Sequence, residues 1–205
     1  MSSAWTQRDE ERFFQNFKRY TEPQERCRFV FLQAEALFER GSEELDEVAV
    51  RLLEYRFARI ESPAAEAESW LLMARALDRL GREQDAIYAF QQCFAAQRRD
   101  PEQPRIGRIE YALFCVGWRL TPFFRVALVL LNELKEEPVT PFDVYRENAA
   151  RAFMHLALGE KAEARARAQQ AVWAEHKDPC GLRFRDGTTF HDGLVEIAGE
   201  GVLVN

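Results

Sequence analysis

The sequence predicts an all-α fold, a solenoid of about four helix pairs, and three observations predict it. Pro23, Pro63, Pro101, Pro138 and Pro179 lie 40, 38, 37 and 41 residues apart. Proline is barred from helix interiors by its missing N–H and its ring, so these positions mark the boundaries of helical units. Gly41, Gly81 and Gly159 fall near the midpoints of their units, where a helix ends readily in a left-handed residue. Within the units, apolar residues recur at intervals of three and four. Trp70, Met73, Ala74 and Leu77 line one helix, and Ala86, Phe90 and Cys93 the facing one. Small residues let two backbones approach while large ones fill the space beside them, which places Trp70 in the central core of the second hairpin.

Taken in order, residues 1–22 are expected to form an N-terminal capping helix, because Phe13, Phe14, Phe17 and Tyr20 stand at helical spacing. Residues 23–179 carry the repeats. In the third unit the midpoint reads "LTPFF", with Thr121 as the expected N-cap and Pro122 at the first helical position. The stretch that follows, 123–134, is apolar nearly all round. Such a helix is expected to be buried within the solenoid, any exposed part being a partner or dimer surface. Five of the ten glycines fall after Pro179, and "LRFRDGTTFHDG" alternates around Asp-Gly. That is a hairpin signal, and "LVEIAGEGVLVN" reads as a second one, so residues 180–205 are expected as a β-hairpin-like tail. A terminal repeat has no successor to cover it. Leu182, Phe184, Phe190, Leu194, Val195 and Ile197 are therefore expected to fold back onto the last helix pair. The alternative is a strand added to a second copy or a partner.

Composition narrows the function. Of 205 residues, 47% are hydrophobic and 30% charged, with a net charge of -6. This describes a soluble globular chain. The acidity argues against nucleic acid, which calls for a basic stripe, and against an anionic membrane surface. The longest apolar run, 126–131, is far short of the roughly 20 residues of a membrane span, and the N-terminus lacks an apolar signal core. A cytoplasmic location is expected. Cys27, Cys93, Cys115 and Cys180 form no CxxC pair, so neither a disulfide framework nor a zinc site is expected.

The stretch Trp70, Met73, Ala74, Leu77, Gly81, Ala86, Phe90 follows a large-large-small-large, glycine, small, aromatic order, and in this it resembles the tetratricopeptide repeat family. Tyr111, Phe114, Cys115, Trp118, Ala127 and Leu131 repeat the pattern with Pro122 in place of glycine. Ala152, His155, Gly159, Ala164, Ala168 and Ala171 repeat it again, with Asn148 and Arg151 at two positions that are large and apolar in the family. The first unit reads Ala34, Leu37, Gly41, Ala49, Leu53, and the resemblance covers residues 27–177. It implies a right-handed α-α superhelix whose first helices line a concave groove that binds a protein or peptide, without catalysis. Positions matching the family's groove-facing sites are Phe31, Glu35, Phe38, Leu71, Arg75, Asp78, Arg79, Val116 and Arg119. Arginine and aromatic side chains dominate interface energies, although the charged members also suit a solvated helix face, and Phe31 and Phe38 also suit packing against the N-terminal helix. The asparagines and lysines with which some members grip a carboxylate are replaced here by Glu35, Arg75 and Val116.

The runner-up is a dedicated cytosolic chaperone for a secreted bacterial substrate, which small acidic repeat proteins resemble in size and charge. Self-association is a further expectation. A more distant alternative is a metal-dependent regulator or enzyme centred on His176, Cys180, His191 and Asp192 in the tail, whose spacing matches no compact ligand motif. His155 is expected as a packed histidine. With no P-loop, GxGxxG or GxSxG, no cofactor and no catalytic residue is expected.

Overall fold

Thr6 starts the first helix by closing a reciprocal capping box with Asp9, whose carboxylate is held below its usual pKa by those hydrogen bonds. From there the computed structural model describes residues 4–99, 106–134, 140–175 and 189–199, and among them every regular element is helical. The chain divides into two compact units, residues 1–107 and 108–205, a division that falls inside the predicted repeat region.

The first unit contains α1 (Gln7–Phe17), α2 (Pro23–Glu39), α3 (Glu43–Arg59), α4 (Glu66–Arg79) and α5 (Glu83–Arg99). Helix α2 pairs with α3 and α4 with α5, while α3 and α2 also meet α4. Pro23 opens α2 at its first position, where no N–H is needed. Ser42 caps α3. The core of the second pair is Ala74, Leu77, Ala86, Phe90 and Cys93, all at most 1% exposed. Trp70 is not in its centre, contrary to expectation. It is half-buried, stacked on Phe57 of α3 at 3.7 Å and edge-on to the exposed Tyr88 of α5 at 5.9 Å. The face of α4 buried in this stretch runs through Ser69, Leu72 and Ala76, because α4 meets helices on more than one side.

Helix α1 covers the first pair as predicted, through Phe13 and Phe17. Phe13 stacks on Phe29 at 5.3 Å, and Phe14 and Phe17 meet Tyr55 edge-on, each at 5.7 Å.

The second unit contains α6 (Arg108–Gly117), a 3-10 turn (Thr121–Phe123), α7 (Phe124–Asn132), α8 (Pro141–Ala157), α9 (Lys161–Glu175) and α10 (Phe190–Ala198). Helix α6 pairs with α7 and α8 with α9, and α10 lies on α9 and α8. Two expectations are corrected here. Thr121 does not cap α7, which starts only after the 3-10 turn and has no side-chain cap. Nor is α7 buried all round. Phe124, Ala127, Leu128 and Leu131 are buried, but Val126 and Val129 are 53% and 59% exposed.

The tail is the largest correction. Residues 190–198 form a helix, not a strand, and Thr189 caps it by accepting the Asp192 N–H. The "TFHD" within the stretch read as hairpin alternation is a capping sequence leading into an apolar helical face, with Phe190, Leu194 and Ala198 buried. Its position is the expected one, against the last helix pair. The remainder of the tail, 180–188 and 200–205, lies outside the described residues.

All four pairs close in the same way. Three residues separate the helical segments, and the second of them is left-handed: Gly41, Gly81, Arg119 and Gly159, with φ of 71°, 75°, 55° and 80°. In the last three turns the following N–H reaches back into the finished helix: Arg82 to the Leu77 carbonyl, Leu120 to Cys115 and Glu160 to His155, at 2.8–2.9 Å. Arg119 thus takes the place of the missing third glycine, with its Cβ in a disfavoured region. Arg119→Gly is expected to raise stability by about 0.5–1 kcal/mol, because relief of that strain outweighs the added freedom of the unfolded chain. Chemical denaturation measures it, and an unchanged or lowered midpoint would count against the left-handed turn.

Candidate binding face

Helices α2 and α4 meet in the first unit and bring three of the predicted groove residues, Phe38, Arg75 and Arg79, into contact; Phe31, Glu35 and Asp78 lie on the same two helices. Phe38 is the anchor. Its side chain is 7% exposed because two guanidinium groups cover the ring, Arg79 at 3.4 Å and Arg75 at 4.7 Å from its centroid. The cation–ring contacts of Phe38 are thus to α4. Each such contact contributes about 0.5–1 kcal/mol at a site open to water.

The two arginines, alike in sequence, have different work. Arg79 forms an ion pair with Asp46 of α3, and it donates to the Phe38 carbonyl at 2.5 Å. Asp46 is only 2% exposed, so Arg79 neutralises a carboxylate that the fold has withdrawn from water. It is a clasp joining α2, α3 and α4. Arg75 is exposed, stacked on Phe38 and without a carboxylate partner among the described residues. Glu35 is half-buried and likewise unpaired there. Phe31, one turn before it, is half-buried, as is Asp78.

The remaining predicted positions do not join this face. Leu71 lies against the backbone at Gly107, where an added Cβ would sit 2.9 Å from the leucine side chain. Val116, in the second unit, is 2% exposed and offers no surface. Arg119, in the same unit, serves the turn described above.

Sequence reasoning missed the buried ionic residues. Arg56 is 1% exposed, donates to the Ala64 and Ser62 carbonyls at 2.6 and 3.4 Å, and so fixes the link into α4. Burial holds its pKa below the ordinary value. In the second unit Arg151 is 7% exposed and donates to Asn132 and Glu147, each at 2.7 Å. Asn148 donates to the Val144 carbonyl at 2.9 Å. Arg151 thus ties α8 to the end of α7 through Asn132, while Asn148 is satisfied within α8 itself. The signal was legible as charge at apolar positions, but its partners were not.

His155, the expected packed histidine, is largely buried with Nδ1 2.6 Å from the Glu160 carboxylate. Of the four residues imagined as a tail site, His176 and Cys180 lie outside the described residues. His191 lies 2.5 Å from Glu175, and the Asp192 carboxylate is taken up by its cap, accepting from the Thr189 hydroxyl at 2.5 Å. Among the described residues no group of three or more His, Cys, Asp or Glu side chains is placed to hold a metal ion. Cys27, Cys93 and Cys115 are buried thiols, and burial pushes Cys115 up to about 12, far from the thiolate form that reacts. No helix among the described residues is long and apolar enough to cross a membrane.

Family models, curated proteins and solved structures yield no match to the chain.

Proposed function

We propose that the chain is a non-catalytic binding protein of tetratricopeptide-repeat type that seats a protein or peptide on the α2–α4 face. The observation that carries this reading is Arg75: an exposed guanidinium, oriented by Phe38, with no carboxylate partner among the described residues. Its neighbour Arg79 has one. A cation held in place on an aromatic ring loses little side-chain freedom when a carboxylate binds it. The partner would present an acidic group to Arg75 and apolar surface to the half-buried Phe31.

The test uses the partner recovered from native lysate and then measured in purified form. Arg75→Glu is expected to weaken its binding by about 2 kcal/mol or more, roughly thirtyfold. Folding stability should shift by no more than about 0.5 kcal/mol, as for other exposed positions. Undiminished affinity would remove the α2–α4 face from consideration. Arg79 is unsuitable for this purpose, since its loss would disturb the fold.

A further inference from the structure

In the second unit a cleft of about 440 Å³ opens between α8, α9 and α10. Its volume is that of a small-molecule site. Phe153 and Leu156 of α8 and Ile197 of α10 supply apolar wall, while Lys161 and Arg165 of α9 and Glu196 of α10 supply charge.

Three features of this cleft point to one ligand chemistry. Lys161 and Arg165 stand four residues apart, on one face of α9, and neither side chain has an ion-pair or hydrogen-bond partner among the described residues. By contrast, Arg167 on the same helix is 2.9 Å from Glu163. Lys161 and Ala162 are also the first residues of α9, so the positive end of the helix dipole adds to the two cations. Glu160, the nearest acid before them in sequence, is engaged by His155 at 2.6 Å and Arg125 at 3.7 Å. Finally, the back wall depends on Gly193. A Cβ there would lie 2.9 Å from the Phe153 ring, so any larger residue would require that ring to move. Glycine inside a helix costs roughly 1 kcal/mol relative to alanine, yet it sits in the middle of a nine-residue helix.

We propose that this cleft binds a small amphipathic carboxylate, its apolar chain along Phe153, Leu156 and Ile197 and its charge at Lys161 and Arg165. Glu196 opposes an anion and limits the site to a single negative charge.

Octanoate, kept below its micellar concentration, is the probe, followed through the Gly193 amide and the Phe153 ring in NMR titrations of the full chain. Saturable binding is expected, with acetate and octan-1-ol each at least tenfold weaker, since one lacks the chain and the other the charge. Arg165→Gln should weaken octanoate at least tenfold, and Glu196→Gln should tighten it severalfold. Both positions are exposed, so the fold is expected to tolerate both changes, and a damaged fold would not yield opposite signs. Arg75→Glu should leave octanoate binding unchanged, which separates this site from the α2–α4 face. Non-saturable shifts, equal binding of octan-1-ol, or indifference to Arg165→Gln would each overturn the proposal.

Discussion

Arg79→Ala is expected to destabilise the protein by about 3 kcal/mol, an effect larger than an arginine on an exposed helix face would suggest. The loss is not that of a surface ion pair, whose worth is about 0–1 kcal/mol. It comes from what remains. Asp46 is 2% exposed, and without Arg79 its carboxylate is a charge held from water with nothing opposite it. Removing one member of such a pair costs about 3–5 kcal/mol. The lower end applies because the Arg79 side chain is itself 38% exposed, so water reaches the vacated position. The Phe38 carbonyl also loses its donor. Thermal melting should show a drop of about 6–12 °C. The double variant Asp46→Leu, Arg79→Met should recover most of it, because replacing both partners removes the stranded charge. If Arg79→Ala melts like the parent, the clasp contributes nothing and both arginines belong to the surface.

A second large effect is expected in the core of the α4–α5 pair. Phe90 is 1% exposed, in a helix pair whose Ala74, Leu77 and Cys93 are themselves fully enclosed. Phe90→Ala should cost about 3–5 kcal/mol, the transfer term plus the cavity it leaves. Trp70→Ala should cost less, about 2 kcal/mol, since the indole keeps part of its surface in water and its main contact is the stack on Phe57. Denaturant unfolding of the two variants orders them directly. Equal losses would restore the pattern-based view in which Trp70 centres the hairpin.

Much of the helical layout was legible because it is written in local chemistry. Pro23 at a first helical position, Gly41, Gly81 and Gly159 at turns, and the three-four spacing of Ala74, Leu77, Ala86 and Phe90 each depend on residues near them in sequence. Two local signals misled. Asp-Gly and alternating apolar residues before and within α10 fit a hairpin as well as a helix, since short apolar stretches do not separate the two periods. Thr189 and Asp192, a threonine followed three residues later by an acid, were the better signal.

The candidate face was only half legible, for a different reason. Sequence spacing put Arg75 and Arg79 on one helix surface, but which of them has a buried partner depends on Asp46, 33 residues away from Arg79. Periodicity along α4 carries no information about α3. The same holds for Trp70, whose burial is decided by Phe57 on another helix, and for Arg151, whose partner Asn132 closes α7.

The clasp also bears on how the chain is made. During synthesis the N-terminal segments leave the ribosome first, and α2 and α3 can dock as soon as both are out, since a three-residue turn leaves little loop entropy to overcome. At that moment Asp46 has not yet met Arg79. Only when the end of α4 emerges does Arg79 arrive to seal it. The ion pair between Asp46 and Arg79 therefore forms only once α4 has been made. Until then the Asp46 carboxylate lacks its cation, and the cost of burying an unpaired charge is expected to keep the α2–α3 hairpin open around it.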